Sequence, residues 1–222
     1  MKPQVTVDVV SDVMCPWCLI GKRRLEKALA SVNDVIVTVR WRPFLLDPTI
    51  PPEGRDRREY LEAKFGGPER AKAIYANIEA AGRAEGIDFA FDRIERSPKT
   101  LDAHRLIRWA GSLEGQVQDR LVEALFAAFF LEGRDVGDHA VLRELAGGVG
   151  MDGTIVADLL ASDRERAVVE QEIETARQIG VTGVPCFIFD GREGVMGAQD
   201  PATLADAIRR AASTQRASPA VS

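Results

Sequence analysis

Cys15-Pro16-Trp17-Cys18 places two thiols three positions apart. On a helix that spacing sets Cys18 one turn beyond Cys15, on the same face and deeper in the fold. Pro16 suits the first helical position, where its missing N–H costs nothing. The Cys15 sulfur then lies among the unsatisfied backbone N–H groups of a helix N-terminus, which with the helix dipole favour a thiolate over a thiol. A free cysteine titrates near ~8.5, and helix N-termini in C-x-x-C contexts lower that to roughly 3.5–7.5. The expected chemistry is disulfide exchange, with an exposed Cys15 attacking and Cys18 resolving the mixed disulfide.

The flanking residues supply the elements that would hold such a pair. Val5-Thr6-Val7-Asp8-Val9-Val10 reads as a β-branched strand leading into the motif. The helix after it shows Leu19, Ile20, Leu25 and Leu29 on one face and Lys22, Arg23, Glu26 and Lys27 on the other, so the second set is expected in solvent. Val35 to Trp41 reads as a second strand, which makes a right-handed βαβ unit. Pro43, Pro48, Pro51, Pro52 and Gly54 then end regular structure.

From about Asp56 to Ile179 the periodicity is helical, with segments at 57–65, 69–85, 100–110, 116–131, 138–147, a short one from 152 or 153, and 163–179. Val184 to Phe189 resumes the sheet, and Asp190-Gly191 turns it into a hairpin with Gly194 to Gly197. Pro201 to Ala212 gives a closing helix. The expected organisation is an α/β unit from residues 1–50 and 180–212, an all-helical insertion at 51–179, and a disordered tail at 213–222.

Bulk properties narrow the function classes. The chain has 222 residues, 45% hydrophobic and 28% charged, which is ordinary for a globular protein. A net charge of −5 argues against general nucleic-acid binding. No basic segment followed by an apolar run opens the chain, and no stretch reaches the ~18–20 apolar residues of a membrane helix, so a cytoplasmic protein without membrane contact is expected. Three cysteines are too few for a disulfide framework. With no second C-x-x-C, and with only His104 and His139 as histidines, no metal site is expected. The sequence does not fix the oligomeric state.

Strand, C-P-W-C helix, strand, helical insert, Val-Pro, hairpin and helix together resemble the layout of the DsbA family, and more closely its FrnE-type subgroup. The resemblance rests on Ser11-Asp12-Val13-Met14-Cys15-Pro16-Trp17-Cys18-Leu19-Ile20-Gly21-Lys22, Trp41-Arg42-Pro43-Phe44, Thr100-Leu101-Asp102-Ala103-His104-Arg105-Leu106, Leu125-Phe126, Gly133-Arg134-Asp135 and Gly180-Val181-Thr182-Gly183-Val184-Pro185. It implies a thioredoxin-like α/β fold with a large helical insertion (DsbA-like), and thiol–disulfide exchange on protein or small-thiol substrates. It also implies a cis Val184-Pro185 bond facing the cysteines, where Val184 would offer its backbone to an incoming extended peptide. Pro16, Trp17, Val184 and Pro185 are the expected substrate-contacting residues. Trp17 is expected to be exposed, and the resemblance sets His104 and Phe44 near the active-site face.

Two residues depart from the family pattern. Lys99 stands where an asparagine is common, which removes a group that glutathione-using relatives place near their ligand. Cys186 stands where an apolar residue follows Val-Pro; it reads as a small buried hydrophobe turned away from the side Val184 presents. No resident cofactor is expected, with glutathione open as a co-substrate. Trp17 lacks the charge of the histidine in the Pro-His dipeptide of DsbA. The resemblance therefore implies a potential between those of thioredoxin and DsbA, which differ by about 7 kcal/mol. A glutathione-dependent isomerase or transferase of the hydroxychromene-carboxylate isomerase and kappa class, and a non-enzymatic partner-binding module, are the alternatives. The isomerases typically carry serine where Cys15 stands, and a binding module leaves the paired thiols without a role.

Overall fold

The computed structural model describes residues 2–217. β1 (Gln4–Ser11) enters the fold first, followed by α1 (Pro16–Ser31) and β2 (Ile36–Pro43), which pairs in parallel with β1 so that Val7 lies opposite Val39. β5 (Cys186–Phe189) adds to the other side of β1 in antiparallel register, and β6 (Glu193–Met196) follows it through a hairpin. The mixed sheet therefore runs β2-β1-β5-β6. Asp190, Gly191 and Arg192 connect the two strands; Asp190 and Gly191 adopt positive φ, 49° and 66°, and Arg192 N donates to Phe189 O at 3.0 Å.

Alternation along β1 decides which face carries the core. Val5, Val7 and Val9 are buried while Thr6 and Asp8 are half-exposed. The buried row meets Leu19, Ile20, Leu25 and Ala28 of α1, Phe187 and Phe189 of β5, and Leu204 and Ile208 of α9 (Pro201–Ala217) in one apolar cluster. Each large apolar side chain removed from water contributes about 1.5–3 kcal/mol.

Seven helices lie between β2 and β5: α2 (Arg57–Phe65), α3 (Pro68–Ala84), α4 (Leu101–Ala110), α5 (Val117–Phe130), α6 (His139–Gly148), α7 (Gly153–Ala161) and α8 (Arg166–Gln178). With α1 and α9 they make nine helices among the described residues. Phe126, Phe129 and Phe130 of α5 are fully buried, and Trp41 of β2 meets Phe126 edge-on with ring centroids 6.2 Å apart. The insertion thus shares one continuous apolar cluster with the sheet. It also covers the free edge of β2, where Gln118 Oε1 accepts from Trp41 N at 3.0 Å. None of the described helices is long and apolar enough to cross a membrane.

The structure corrects several details of the elements read from sequence. The insertion is not wholly helical, because β3 (Arg55–Asp56) pairs antiparallel with β4 (Arg96–Ser97). Two residues a strand carry no periodicity to read. α9 continues through Ala217, five residues into the stretch expected as a disordered tail. Ser213 and Thr214 return their hydroxyls to Arg210 O at 2.8 and 3.0 Å, and no glycine or proline stops the helix before Pro219. The remainder of that tail, 218–222, lies outside the described residues. β2 runs two residues past its expected end at Trp41, to Pro43, which an edge strand tolerates.

A further correction concerns the polar face of α1. Lys22 is buried rather than solvated. Its ammonium pairs with Glu26 and reaches Asp119 at 3.3 Å and Glu123 at 3.2 Å on α5. Burial disfavours the charge, but the three carboxylates more than offset it, and the Lys22 pKa is raised. Asp119 also accepts from Trp41 Nε1 at 3.0 Å. Charged groups therefore bind α1 to the insertion beside the apolar contacts.

Candidate active site

The site is built on the turn between β1 and α1. Asp12, fully buried, organises that turn. Its Oδ1 accepts from Met14 N at 3.3 Å and from Thr100 Oγ1 at 2.8 Å, its Oδ2 accepts from Leu46 N at 2.8 Å, and its carbonyl accepts from Cys15 N at 2.9 Å. A buried carboxylate needs such donors to offset its lost hydration. One side chain thus joins the cysteine turn, the loop after β2 and the start of α4. His104 lies behind it, buried, with its Nε2 3.6 Å from Asp12 Oδ1 and making no hydrogen bond. His139 is exposed and bonds Asp102 Oδ2 at 2.8 Å.

Cys15 is the N-cap residue of α1, in extended conformation, with Pro16 at the first helical position. Its sulfur makes no capping hydrogen bond to the N–H groups of the first turn. Its side chain does not stand in solvent as expected, because the residue is only 4% exposed. Val184 closes over it: Cys15 Sγ donates to Val184 O at 3.5 Å across 169 positions of sequence. The exposed apolar surface of the motif is Trp17, at 37%.

Cys18 lies one turn below Cys15 and is buried. Burial pushes its thiol well above the ordinary cysteine range, and the neighbouring Cys15 adds to that through a hydrogen bond and its charge. Two donors pull the other way, the Ser11 hydroxyl and the Asp12 backbone N–H. All three cysteines are free thiols in this structure.

The opposing wall is the Val184-Pro185 step, whose peptide bond is cis. Pro185 O accepts from Gly197 N at 2.8 Å, which ties the step to the end of β6. Gly21 of α1 meets the proline ring. A Cβ at that position would sit 2.9 Å from Pro185 Cγ and 3.2 Å from Phe187 Cζ. Glycine inside a helix costs about 1 kcal/mol relative to alanine, and here it lets α1 approach the proline.

Phe44 is buried. It packs with Val10, Val181 and Cys186 in a small cluster against which Val184 rests, and the Arg177 guanidinium sits 5.5 Å from its ring centroid. Cys186 is buried as expected, and burial raises its thiol pKa. It does not turn away from Val184, since positions two apart on an extended chain share a face. Cys15, Cys18, Pro16, Trp17, Val184 and Pro185 thus converge, His104 stands behind the turn through Asp12, and Phe44 supports Val184 from beneath.

Ser11, Asp12 and Gly21 belong to the site although no role was read for them from sequence. Signals existed for two of them. Ser11 breaks the row Val5, Val7, Val9, and Asp12 stands where a side chain can cap a tight turn. The arrangement provides a surface-facing end of a helix, a shielded sulfur there, a second sulfur beneath it with two donors, and a backbone carbonyl opposite.

Comparison with known proteins places this geometry among others. Residues 6–209 match the family described as DSBA-like thioredoxin domain. The solved structure of the probable DsbA oxidoreductase SCO1869 of Streptomyces coelicolor is similar, at 35% identity and a TM-score of 0.82, covering 93% of this chain and 89% of that one. The uncharacterized protein YwbO of Bacillus subtilis (strain 168) is 28% identical over 187 residues, 83% of this chain and 86% of its own length. The cytosolic disulfide reductase DsbM of Pseudomonas aeruginosa, solved with GSH, shares the fold at 17% identity and a TM-score of 0.58, covering 96% of this chain and 98% of that one.

Proposed function

From the premise that the chain belongs to the DSBA-like thioredoxin domain family, we propose that it is a thiol–disulfide oxidoreductase or isomerase acting through Cys15 and Cys18 on protein or small-molecule disulfides and thiols. One observation carries this reading. The Cys15 sulfur sits at the N-terminus of α1, with Cys18 one turn beneath and the Val184 carbonyl 3.5 Å away.

In the reducing direction, the Cys15 thiolate attacks one sulfur of a substrate disulfide. The Cys15–substrate bond forms, the substrate S–S bond breaks, and one substrate sulfur leaves as a thiolate that takes a proton from solvent. Cys18 then loses its proton to solvent and attacks Cys15 Sγ. The Cys15–Cys18 disulfide forms, the Cys15–substrate bond breaks, the second substrate sulfur leaves as a thiolate that takes a proton from solvent, and two electrons have passed to the substrate. Oxidation of a dithiol substrate is the same sequence reversed.

This chain's own residues serve each step. The N-cap position holds Cys15 at the start of α1, directly above Cys18. Ser11 and the Asp12 backbone pull the Cys18 pKa down against the burial that raises it. Asp12 fixes the turn that holds both. Trp17 offers apolar surface to a substrate, and Val184 offers backbone for strand pairing.

Insulin reduction and reactivation of scrambled ribonuclease test the reading with the wild type and with Cys15→Ser and Cys18→Ser. The wild type is expected to be active, Cys15→Ser inactive, and Cys18→Ser strongly impaired. Full activity of Cys18→Ser contradicts a dithiol mechanism. Activity confined to glutathione with a small aromatic substrate supports the isomerase or transferase alternative, and binding without turnover supports a partner-binding module.

A further inference from the structure

The insertion contains a cation that the dithiol chemistry does not use. Arg57, the first residue of α2, is buried, yet no carboxylate among the described residues pairs with it. Its neighbour Asp56 instead caps α2 by accepting from Glu59 N at 2.9 Å. Arg57 Nη1 donates to Ser97 Oγ at 3.2 Å and Nη2 to Tyr75 Oη at 2.6 Å. The rings of Tyr75 and Phe129 flank the guanidinium at 5.5 and 5.6 Å.

Those partners are neutral, and a guanidinium has five N–H donors. Aromatic faces and hydroxyls offset only part of what burying a charge costs. The position adds to the imbalance, because the first turn of a helix disfavours a cation and favours an anion. Burial depresses the Arg57 pKa. Buried charges in folded proteins are ordinarily met by an opposite charge.

A cavity of about 260 Å³ opens beside this residue between α2 and α3. Leu61, Ala71, Tyr75 and Phe91 give it apolar walls. Arg58 and Lys72, both exposed, add positive charge to the same lining. Two carboxylates also line it: Glu62 lies 4.0 Å from Arg58, and Asp92 is exposed to solvent. Neither is buried with Arg57. The volume falls just below the ~300–1,000 Å³ of drug-sized sites, which limits an occupant to a small molecule.

We propose that this cavity binds a small organic anion, its acidic group seated on Arg57 and its apolar body between Leu61, Tyr75 and Phe91. The Tyr75 hydroxyl that accepts from Arg57 has its pKa raised by burial, against the pull of the guanidinium. The site stands apart from the exchange reaction and does not depend on it.

Binding of phenylacetate to the full reduced chain tests this, measured by isothermal titration against phenylacetamide, which has the same body without the charge. The wild type is expected to bind phenylacetate saturably and at least about tenfold tighter than the amide. Arg57→Gln is expected to abolish that preference. Ala71→Phe, which fills the cavity and keeps Arg57, is expected to abolish binding of both. Circular dichroism of each variant establishes that it is folded, and if Arg57→Gln does not fold, the wild-type preference and Ala71→Phe decide. No saturable binding by the wild type, equal affinity for acid and amide, a preference retained in folded Arg57→Gln, or unchanged binding in Ala71→Phe each overturns the proposal.

Discussion

Ser11 closes a row of valines on the core face of β1, so its hydroxyl enters the interface with α1 where Cys18 lies. An apolar residue would pack there as well as a serine does, but only a hydroxyl can donate to the resolving sulfur. Ser11→Ala is therefore expected to move the pH profile of mixed-disulfide resolution upward and to let the Cys15–substrate adduct persist. Ser11→Thr, which keeps the hydroxyl, is expected to restore the wild-type profile. Rapid acid quenching and mass spectrometry of the adduct across pH would show it, and an unshifted profile in Ser11→Ala would remove Ser11 from the mechanism. Cys18 also links stability to pH. Its pKa is raised in the folded protein, so above the unfolded cysteine value of ~8.5 the folded state holds more protons than the unfolded one. The reduced protein should therefore lose stability as pH rises from about 8.5 to 10, by at most about 1.4 kcal/mol per unit for this group. Cys18→Ala should flatten that slope and leave the smaller contribution of Cys186, read from urea midpoints at each pH. The cysteines and Trp17 were legible in the sequence because residue type and spacing alone define their chemistry. The donors to Cys18 were not, because their role appears only once the turn is folded.

At the scale of elements, the approach of α1 to the Val184-Pro185 step depends on one missing Cβ. Gly21→Ala would gain about 1 kcal/mol of helix propensity. It would also press a methyl to 2.9 Å from the Pro185 ring, and overpacking of this kind costs typically about 1–3 kcal/mol. The expected outcome is a small net loss of stability by chemical denaturation with a larger loss of exchange rate, since Val184 would be displaced from Cys15. A variant as active as wild type would show that the close contact does not position the site. Helix periodicity made the nine helices of the described residues readable, with the end of α9 missed by five residues. It failed where the determinant is non-local: Lys22 looks like a surface lysine until Asp119 and Glu123, about a hundred positions later, are brought against it. The β3–β4 ladder failed for a different reason, being too short to leave a pattern.

At the scale of the molecule, the site joins two ends of the chain. Cys15 and Val184 are 169 positions apart, and the sheet that brings them together is completed only after seven intervening helices. The resemblance to a known family made that closure readable; residue patterns alone gave the elements but not their pairing. Because sheet and insertion share one apolar cluster, unfolding is expected as a single transition, with coincident urea midpoints by far-UV circular dichroism and tryptophan fluorescence. Separate midpoints would mean that the insertion folds on its own. The central claim, that Cys15 attacks and Cys18 resolves, is tested most directly by trapping. Cys18→Ser should accumulate a one-to-one mixed disulfide on Cys15 when given a disulfide substrate, identified by peptide mass spectrometry, and Cys15→Ser should accumulate none. An adduct on Cys18 or Cys186 in place of Cys15, or turnover by Cys18→Ser as fast as wild type, would contradict it.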